Sequence, residues 1–424
     1  MDIKEFIDLA KENKIEPIQI TTFNTDNIEA HILNESLKNV DADKEKSYAI
    51  IGHYNNKDVK VTTNYLDKTT IDNIIMKANY LESNYKEVYI EESKELKDKK
   101  LSISFNIDEE IDKIIKAHSK KHSKVKNIET YYYVEQEEKT INNSYGLDIS
   151  TISNTYSIYT NITTSDKNII SSTDDVLYST KSNIDIDKFI SKVIEESESK
   201  LIKETIDSKK YDVVLSPTFT SCLLDTFVEV LSKKLVRQKC SFLDGKLNKK
   251  IFGDNITIIE DPNNKDYPGY TKFDNEGVET YRKTIIDKGV LKTYLYNNKE
   301  ALLENKKSTG NGYGDISARN IYINKGEKTE QELINSIKDG LYIRDYQSTG
   351  GTVINFINGD ISLQITGQII QDGKKTNSFE TSILTTNIYE LFSNVVEIGN
   401  NLEFKRKNAG APSLYVKGMS ISSN

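Results

Sequence analysis

The chain has 424 residues, of which 36% are hydrophobic and 29% charged, a length and composition that favour two or three globular domains and exclude a disordered protein. The 57 basic residues are outnumbered by 65 acidic ones, for a net charge of −8, so we expect no direct nucleic-acid partner. The sequence has no run of about 18 apolar residues and no apolar export signal after Met1, so we expect a cytoplasmic protein without a membrane partner.

The N-terminal half has the apolar spacing of four helices. Apolar residues recur at helical spacing from Ile3, Ile71, Ile111 and Ile186. Between these helices, residues 48–54 and 59–65 flank the polar turn 55–58, and residues 156–162 alternate in polarity, both of which are typical of antiparallel strands. The pattern therefore predicts an α+β unit made of an antiparallel sheet with helices.

The C-terminal half is predicted to be rich in β-structure. A short apolar strand at 211–215 precedes a helix that begins near Ser216 or Thr218. From Ile251 onward, short alternating runs are broken by strong hairpin signals such as Asn358-Gly359, and we expect one helix, around 330–338. We divide the chain into an N-terminal α+β domain, 1–207, and a β-rich C-terminal domain, 208–424.

Two cysteines and four histidines limit the chemistry of the chain. Cys222 and Cys240 cannot build a disulfide framework, and we expect both to be buried or half-buried thiols. His118 and His122 have the i, i+4 spacing that lets two imidazoles share a metal ion. However, Ser119 stands where such sites carry a water-activating Glu, so we interpret the pair as a basic helix end.

An aromatic cluster, Tyr131, Tyr132 and Tyr133, lies in a predicted strand. Adjacent strand residues point to opposite faces of a sheet, so the three rings cannot form one platform for stacking bases. We expect them to pack in the core and across strands.

Five motifs of the C-terminal half carry a resemblance to a known family. They are, in chain order, YDVVLSP at 211–217, FDNEGV at 273–278, IIDKGVL at 285–291, KSTGN at 307–311 and NGDIS at 358–362. Together they resemble the TldD/PmbA family, also called modulator of DNA gyrase. The resemblance implies a fold of the TldD/PmbA type and a relationship to zinc metallopeptidases.

The zinc motif of the catalytic branch of that family is missing here. In that branch the helix after the V-V-L strand bears H-E-x-x-x-H, whose positions fall on Asp225, Thr226 and Val230 in this chain. The branch also has a metal-binding Cys in its C-terminal tail, where this chain reads KRKNAGAP at 405–412. The resemblance therefore points to the non-catalytic PmbA/TldE-like branch, with no catalytic or metal-binding residue and no cofactor in this chain.

Two of these motifs and one further loop supply candidate peptide-channel residues. Glycine-rich segments can bring backbone N–H groups close to a ligand. The candidates are Ser308, Thr309, Gly310, Asn311, Gly350, Gly351, Gly359 and Asp360.

The resemblance implies a subunit that helps a zinc-bearing, TldD-like partner to bind and proteolyse or mature unfolded peptides. Zinc is then expected in the partner, and the chain is expected to form an oligomer with that partner or with itself. One alternative is a stand-alone metallopeptidase or hydrolase whose site has moved, for example to Asp225. The other is a non-enzymatic protein-binding module.

Overall fold

The computed structural model describes residues 1–81, 95–97, 106–121, 123–182, 184–347 and 354–423. Within these ranges no helix is long and apolar enough to cross a membrane. The helices are α1 (Ile3–Glu12), α2 (Lys68–Tyr80), α3 (Ile107–His118), α4 (Ile186–Ser199), α5 (Pro217–Val230), α6 (Lys233–Arg237), α7 (Asn298–Leu302), α8 (Glu330–Asn335) and α9 (Ile388–Ser393).

The strands fall into an N-terminal and a C-terminal group. The first group is β1 (Ile18–Leu33), β2 (Ser36–Tyr54), β3 (Lys57–Thr63), β4 (Glu95–Lys97), β5 (Val125–Asn143), β6 (Asp148–Asp166), β7 (Ile169–Ser179) and β8 (Lys203–Glu204). The second is β9 (Lys209–Leu215), β10 (Ile258–Glu260), β11 (Lys283–Asp287), β12 (Val290–Leu291), β13 (Gly312–Tyr313), β14 (Asp315–Ile316), β15 (Ile321–Ile323), β16 (Asp339–Gln347), β17 (Asp360–Gln371), β18 (Lys374–Phe379), β19 (Ser382–Asn387), β20 (Val395–Ile398), β21 (Glu403–Phe404), β22 (Ala409–Ala411) and β23 (Leu414–Ser423).

A 13-stranded sheet runs through both halves of the chain. Its order is β12-β11-β10-β15-β22-β21-β7-β6-β5-β1-β2-β3, and β4 pairs with β6. The N-terminal and C-terminal strands meet where Phe404 of β21 pairs with Tyr178 of β7. The sheet therefore continues across the predicted division at 207 and 208, and that division stays a prediction.

Helices α1 to α4 cover one face of the N-terminal strands, which we call the inner face. Even-numbered residues of β1 and β5, such as Ile20 and Tyr132, lie in its cores. Successive strand residues alternate between faces, so odd-numbered residues of β1 and β5 form the outer face. The outer face turns towards the C-terminal half, where Phe273 packs against Ile141 and Ile149.

The second sheet closes on itself through five of its strands. The order β16-β9-β23-β19-β17 is completed by pairing between β16 and β17. Closure leaves these five strands without a free edge. Helix α5 follows β9 directly, and its apolar residues Phe219, Leu223 and Phe227 belong to the same core as Val213 and Leu215 of β9.

Two buried ion pairs connect the halves beside α5. Lys405, 1% exposed, lies 2.6 Å from Asp175 of β7. Arg344, 7% exposed, lies 2.5 Å from Glu196 of α4. Charges buried this deeply are tolerated only when they are paired, so these contacts fix how β16 and the tail meet the N-terminal sheet.

The α+β class and the β-rich C-terminal half are confirmed. The expectation of a single helix after Ile251 is wrong, because α7 and α9 also occur there. Each has five or six residues, too few for a helical repeat to show, and each begins at an Asn whose side chain accepts a backbone N–H. The expectation for Cys240 is also wrong: Cys222 is buried, but Cys240 is exposed.

Candidate functional site

Helix α5 begins where its sequence predicts. The Ser216 hydroxyl accepts a hydrogen bond from the amide of Phe219 at 3.1 Å, and Pro217 occupies the first helical position. Both residues favour a helix start, since the cap satisfies a free N–H and proline has none to satisfy. The Ser216 hydroxyl also donates to the carbonyl of Arg344, which anchors the helix to β16.

The three degenerate motif positions lie on this one helix. Asp225 is exposed, Thr226 is half-buried and Val230 is fully buried in the core. The Thr226 hydroxyl donates to the carbonyl of Cys222 at 3.2 Å, a bond within the helix. Of the three, Asp225 alone presents a polar group that is free to meet a ligand.

Arg406 of the C-terminal tail lies beside Asp225. The tail packs along α5, with β22 and β21 in contact with the helix. The Arg406 guanidinium lies near the thiol of Cys222, three residues before Asp225, and its charge opposes the rise in pKa of both groups. A positive group therefore lies where the resemblance implies a metal ion.

The charges of this cleft shift several acid pKa values. The Asp225 side chain reaches solvent, yet enough protein surrounds it for burial to raise its carboxyl pKa, while Arg406 and Arg319 oppose that rise. The pKa of Glu229, one turn along α5, is raised by burial and by the nearby Asp225. Burial also raises the pKa of Asp345, which Arg344 opposes. The cleft thus combines three guanidinium groups with three carboxyls that hold protons more tightly than usual.

Arg319 is held in place by a buried carboxylate. Glu260 is fully buried; its Oε2 accepts from Lys283 at 2.7 Å, and its Oε1 accepts from the Arg319 amide at 2.9 Å. The Arg319 guanidinium lies 4.1 Å from the centre of the Tyr313 ring, a favourable cation–π distance. From this position the charge of Arg319, like that of Arg406, acts on Asp225.

The residues at α5 do not fit a zinc ion. Zinc in proteins takes about four ligands from Cys, His and carboxylate groups. Asp225 offers one carboxylate, and Val230 offers no donor. Arg406 adds a positive charge that opposes a second cation. In the described ranges, no group of three or more His, Cys, Asp or Glu side chains is arranged to hold a metal ion.

The candidate channel residues fall into separate places. Ser308 to Asn311 form a turn in which both hydroxyls contact the carbonyl of Tyr296, and Asn311, fully buried, donates to Glu260 at 2.8 Å. This turn therefore supports the carboxylate that holds Arg319.

The other candidate channel residues lie elsewhere. Gly359 and Asp360 lie in a turn at the start of β17, where Asp360 accepts a hydrogen bond from Asn387 at 2.8 Å. Gly350 and Gly351 lie outside the described residues. Contact of any of them with a peptide stays a prediction.

His118 is buried in the core of the N-terminal half. It is fully buried, its Nδ1 contacts the carbonyl of Asn34, and its Nε2 lies 2.8 Å from the hydroxyl of Thr130. Burial lowers its pKa, which the bond to Asn34 opposes. Both ring nitrogens are engaged within the protein, and His122 lies outside the described residues.

The three tyrosines alternate between faces as expected. Tyr132 is fully buried on the inner face, while Tyr131 and Tyr133 share the outer face with ring centres 6.2 Å apart. His31 of β1 stacks on Tyr131 at 4.4 Å. The rings form a cross-strand row rather than a platform of consecutive residues.

Sequence reasoning missed Arg319, Arg406, Asp345 and Tyr346. Burial raises the pKa of Tyr346 to about 12, and its ring meets Phe219 of α5 edge-on at 5.9 Å. One signal was available for Arg406, because the tail carries three consecutive basic residues where the resemblance implies a Cys. Arg319 had no such signal, since it follows a plain polar loop.

Profiles of known domain families match both halves of the chain. The PmbA/TldA metallopeptidase C-terminal domain matches residues 208–423, and the central domain of the same proteins matches residues 86–201. Among curated relatives, an uncharacterized protein of Methanocaldococcus jannaschii is 34% identical over 51% of this chain. A metalloprotease PmbA homolog of Buchnera aphidicola is 29% identical over 66% of it. The matches span 51% and 62% of the lengths of these two relatives.

Solved structures share the whole fold. A putative modulator of DNA gyrase from Thermotoga maritima has a TM-score of 0.86 at 24% identity, with 99% of each chain covered. TldE from Thermococcus kodakarensis has a TM-score of 0.87 at 19% identity, again with 99% of each chain covered. The profile of the C-terminal domain covers half of the chain, and the fold agrees with it throughout. The chain therefore belongs to the PmbA/TldD metallopeptidase family.

Proposed function

We propose that this chain is a non-catalytic, PmbA/TldE-like subunit that helps a zinc-bearing relative to bind and process unfolded peptides. The observation that carries the proposal is that the positive charge of Arg406 acts on Asp225 of α5, where the resemblance implies a zinc ligand. A guanidinium beside a lone carboxylate can hold a peptide carboxylate or carbonyl, but it cannot activate water as a metal ion does. In this proposal the zinc-bearing partner cleaves the peptide.

The outer face of the large sheet supports a peptide-handling role. It lies next to α5, since Lys407, one residue after Arg406, reaches across to Glu135 of β5 at 2.5 Å. The outer face of the sheet and the adjacent C-terminal tail together present acidic, aromatic and basic side chains. Charged and aromatic side chains of this kind can contact an extended peptide without a fixed sequence.

The proposal is tested by separating binding from cleavage. An unstructured fluorescent peptide is incubated with the pure chain, with a zinc-bearing family member, and with both. We expect no cleavage by the chain alone, with or without added zinc, and faster cleavage by the mixture than by the relative alone. Light scattering should show a complex, or a dimer of the chain itself.

A charge-reversal variant sharpens the test. Arg406→Glu should weaken peptide binding or slow processing by the mixture, because it adds a negative charge and leaves Arg319 as the one guanidinium that acts on Asp225. Arg282→Glu is the matched control, since Arg282 is 55% exposed and lies beside Asp261 rather than α5. Chelator-sensitive cleavage by the chain alone would instead support a stand-alone enzyme. A monomer that neither binds peptide nor alters the relative would refute the proposal.

A further inference from the structure

A large pocket lies at the β3 edge of the large sheet, away from α5. It has a volume of about 790 Å³ and is lined by residues of β1 to β3, the end of α2, α6, α7 and the β13–β14 turn. The lining includes Gln19, Lys60, Lys234, Glu276 and Asn298. No residue of α5 and neither Arg319 nor Arg406 contributes to it, so it is separate from the cleft described above.

The charges of the pocket lining are nearly balanced. Five basic and four acidic side chains line it. A nucleotide or another polyanion would meet the four carboxylates, and a polycation would meet the five basic groups. A near-neutral lining that carries both signs suits a ligand with one group of each sign.

Three of the four acidic groups are already used within the protein. Glu300 makes a two-pronged bond to Arg237 at 2.8 and 2.9 Å. Asp315 lies 3.1 Å from Lys234, and Asp58 lies 2.9 Å from His53. These pairs leave Glu276 as the acidic group without a salt-bridge partner among the described residues.

The surroundings of the Glu276 carboxyl favour binding of a positively charged ligand group. Its Oε2 accepts from the amide of Asn298 at 2.7 Å. Gly312 leaves room for the carboxyl, since a Cβ there would lie 2.5 Å from Glu276 Cδ. Burial raises the pKa of Glu276, which the Asn298 amide and the charge of Lys60 oppose. A bound ammonium group would relieve the cost of burying this charge.

A donor for an anionic group lies in the same pocket. Lys60 is exposed and contacts the carbonyl of Gly314 at a long 3.5 Å, which leaves its charge available.

We propose that this pocket binds a zwitterionic ligand, an amino acid or a short peptide with free termini. Glu276 accepts the ammonium group of the ligand, and Lys60 holds its carboxylate. The proposal does not depend on the α5 cleft, so either can fail without the other.

Calorimetric titration of the full chain with trialanine tests the proposal, and N-acetyl-trialanine amide serves as the blocked probe. We expect trialanine to bind and the blocked peptide to bind at least ~10-fold more weakly, since a charged pair contributes about 1.4 kcal/mol or more. Glu276→Gln and Lys60→Gln should each weaken trialanine binding. Lys68→Gln, at an exposed position on α2 outside the pocket, should leave it unchanged.

Each of the following outcomes would overturn the proposal. Absence of trialanine binding up to about 10 mM would mean that the pocket is not a ligand site of this class. Equal binding of the blocked peptide, or unchanged affinity in Lys60→Gln, would show that the termini are not recognised. Lys60 is exposed, so that variant tests the proposal even if Glu276→Gln fails to fold. Inorganic phosphate that binds as tightly as trialanine would mark a simple anion site.

Discussion

Arg406 of the C-terminal tail lies beside Cys222, three residues before Asp225 on helix α5. This proximity brings the tail to the helix that carries Asp225, Thr226 and Val230. It places a positive charge near the acidic α5 side chains Asp225 and Glu229.

Replacement of Arg406 should raise the pKa of Asp225. The guanidinium stabilises the carboxylate, so its loss in Arg406→Gln leaves burial, the larger effect, opposed by Arg319 alone. The apparent pKa from an NMR titration of the Asp225 carboxyl carbon should therefore move up in Arg406→Gln. Arg319→Gln should cause a smaller rise, and Arg282→Gln none. An unchanged or lower pKa in Arg406→Gln would show that Arg406 does not face Asp225.

The two cysteines should differ sharply in reactivity. Cys222 is 6% exposed, and burial raises its pKa to about 11, which Arg406 opposes, whereas Cys240 is exposed. Only the thiolate attacks a disulfide reagent, so Cys222 should stay inert at pH 8. We expect about one reactive thiol per native chain and two after unfolding. Cys240→Ser should leave none in the native protein, and a fast-reacting thiol in that variant would contradict the packing of α5 against the tail.

Loss of Arg344 should strongly destabilise the protein. Its removal leaves Glu196, 6% exposed, without its positive partner at the junction of the two halves. Breaking a buried ion pair from one side costs about 3–5 kcal/mol, so Arg344→Ala should lower the denaturant midpoint markedly. Lys44→Ala is the matched control, because Lys44 and Asp26 form a pair that is 81% and 51% exposed. The control should stay within the error of the measurement. Equal midpoints for both variants would contradict a structural role for the buried pair.

Much of the local structure followed from short-range patterns. The start of α5 could be predicted because Ser216 and Pro217 are strong helix-start signals next to an apolar stripe. The hairpin between β2 and β3 could be predicted as well, since Asn55 and Asn56 accept the positive φ angles of 50° and 59° found there. Helices α7 and α9 could not, because five or six residues leave too little helical repeat to detect.

The sequence by itself determined the α+β class, the family and the absence of His and Glu at Asp225, Thr226 and Val230, because each depends on residue type and spacing along the chain. Only the tertiary structure decided which groups surround these positions. The charges of Arg319 and Arg406 reach Asp225 from separate segments, and Glu276 and Lys60, from different halves of the chain, line one pocket. The physical reason is that electrostatic interactions depend on distance through space, which the path of the folded chain sets and the spacing of residues in the sequence does not.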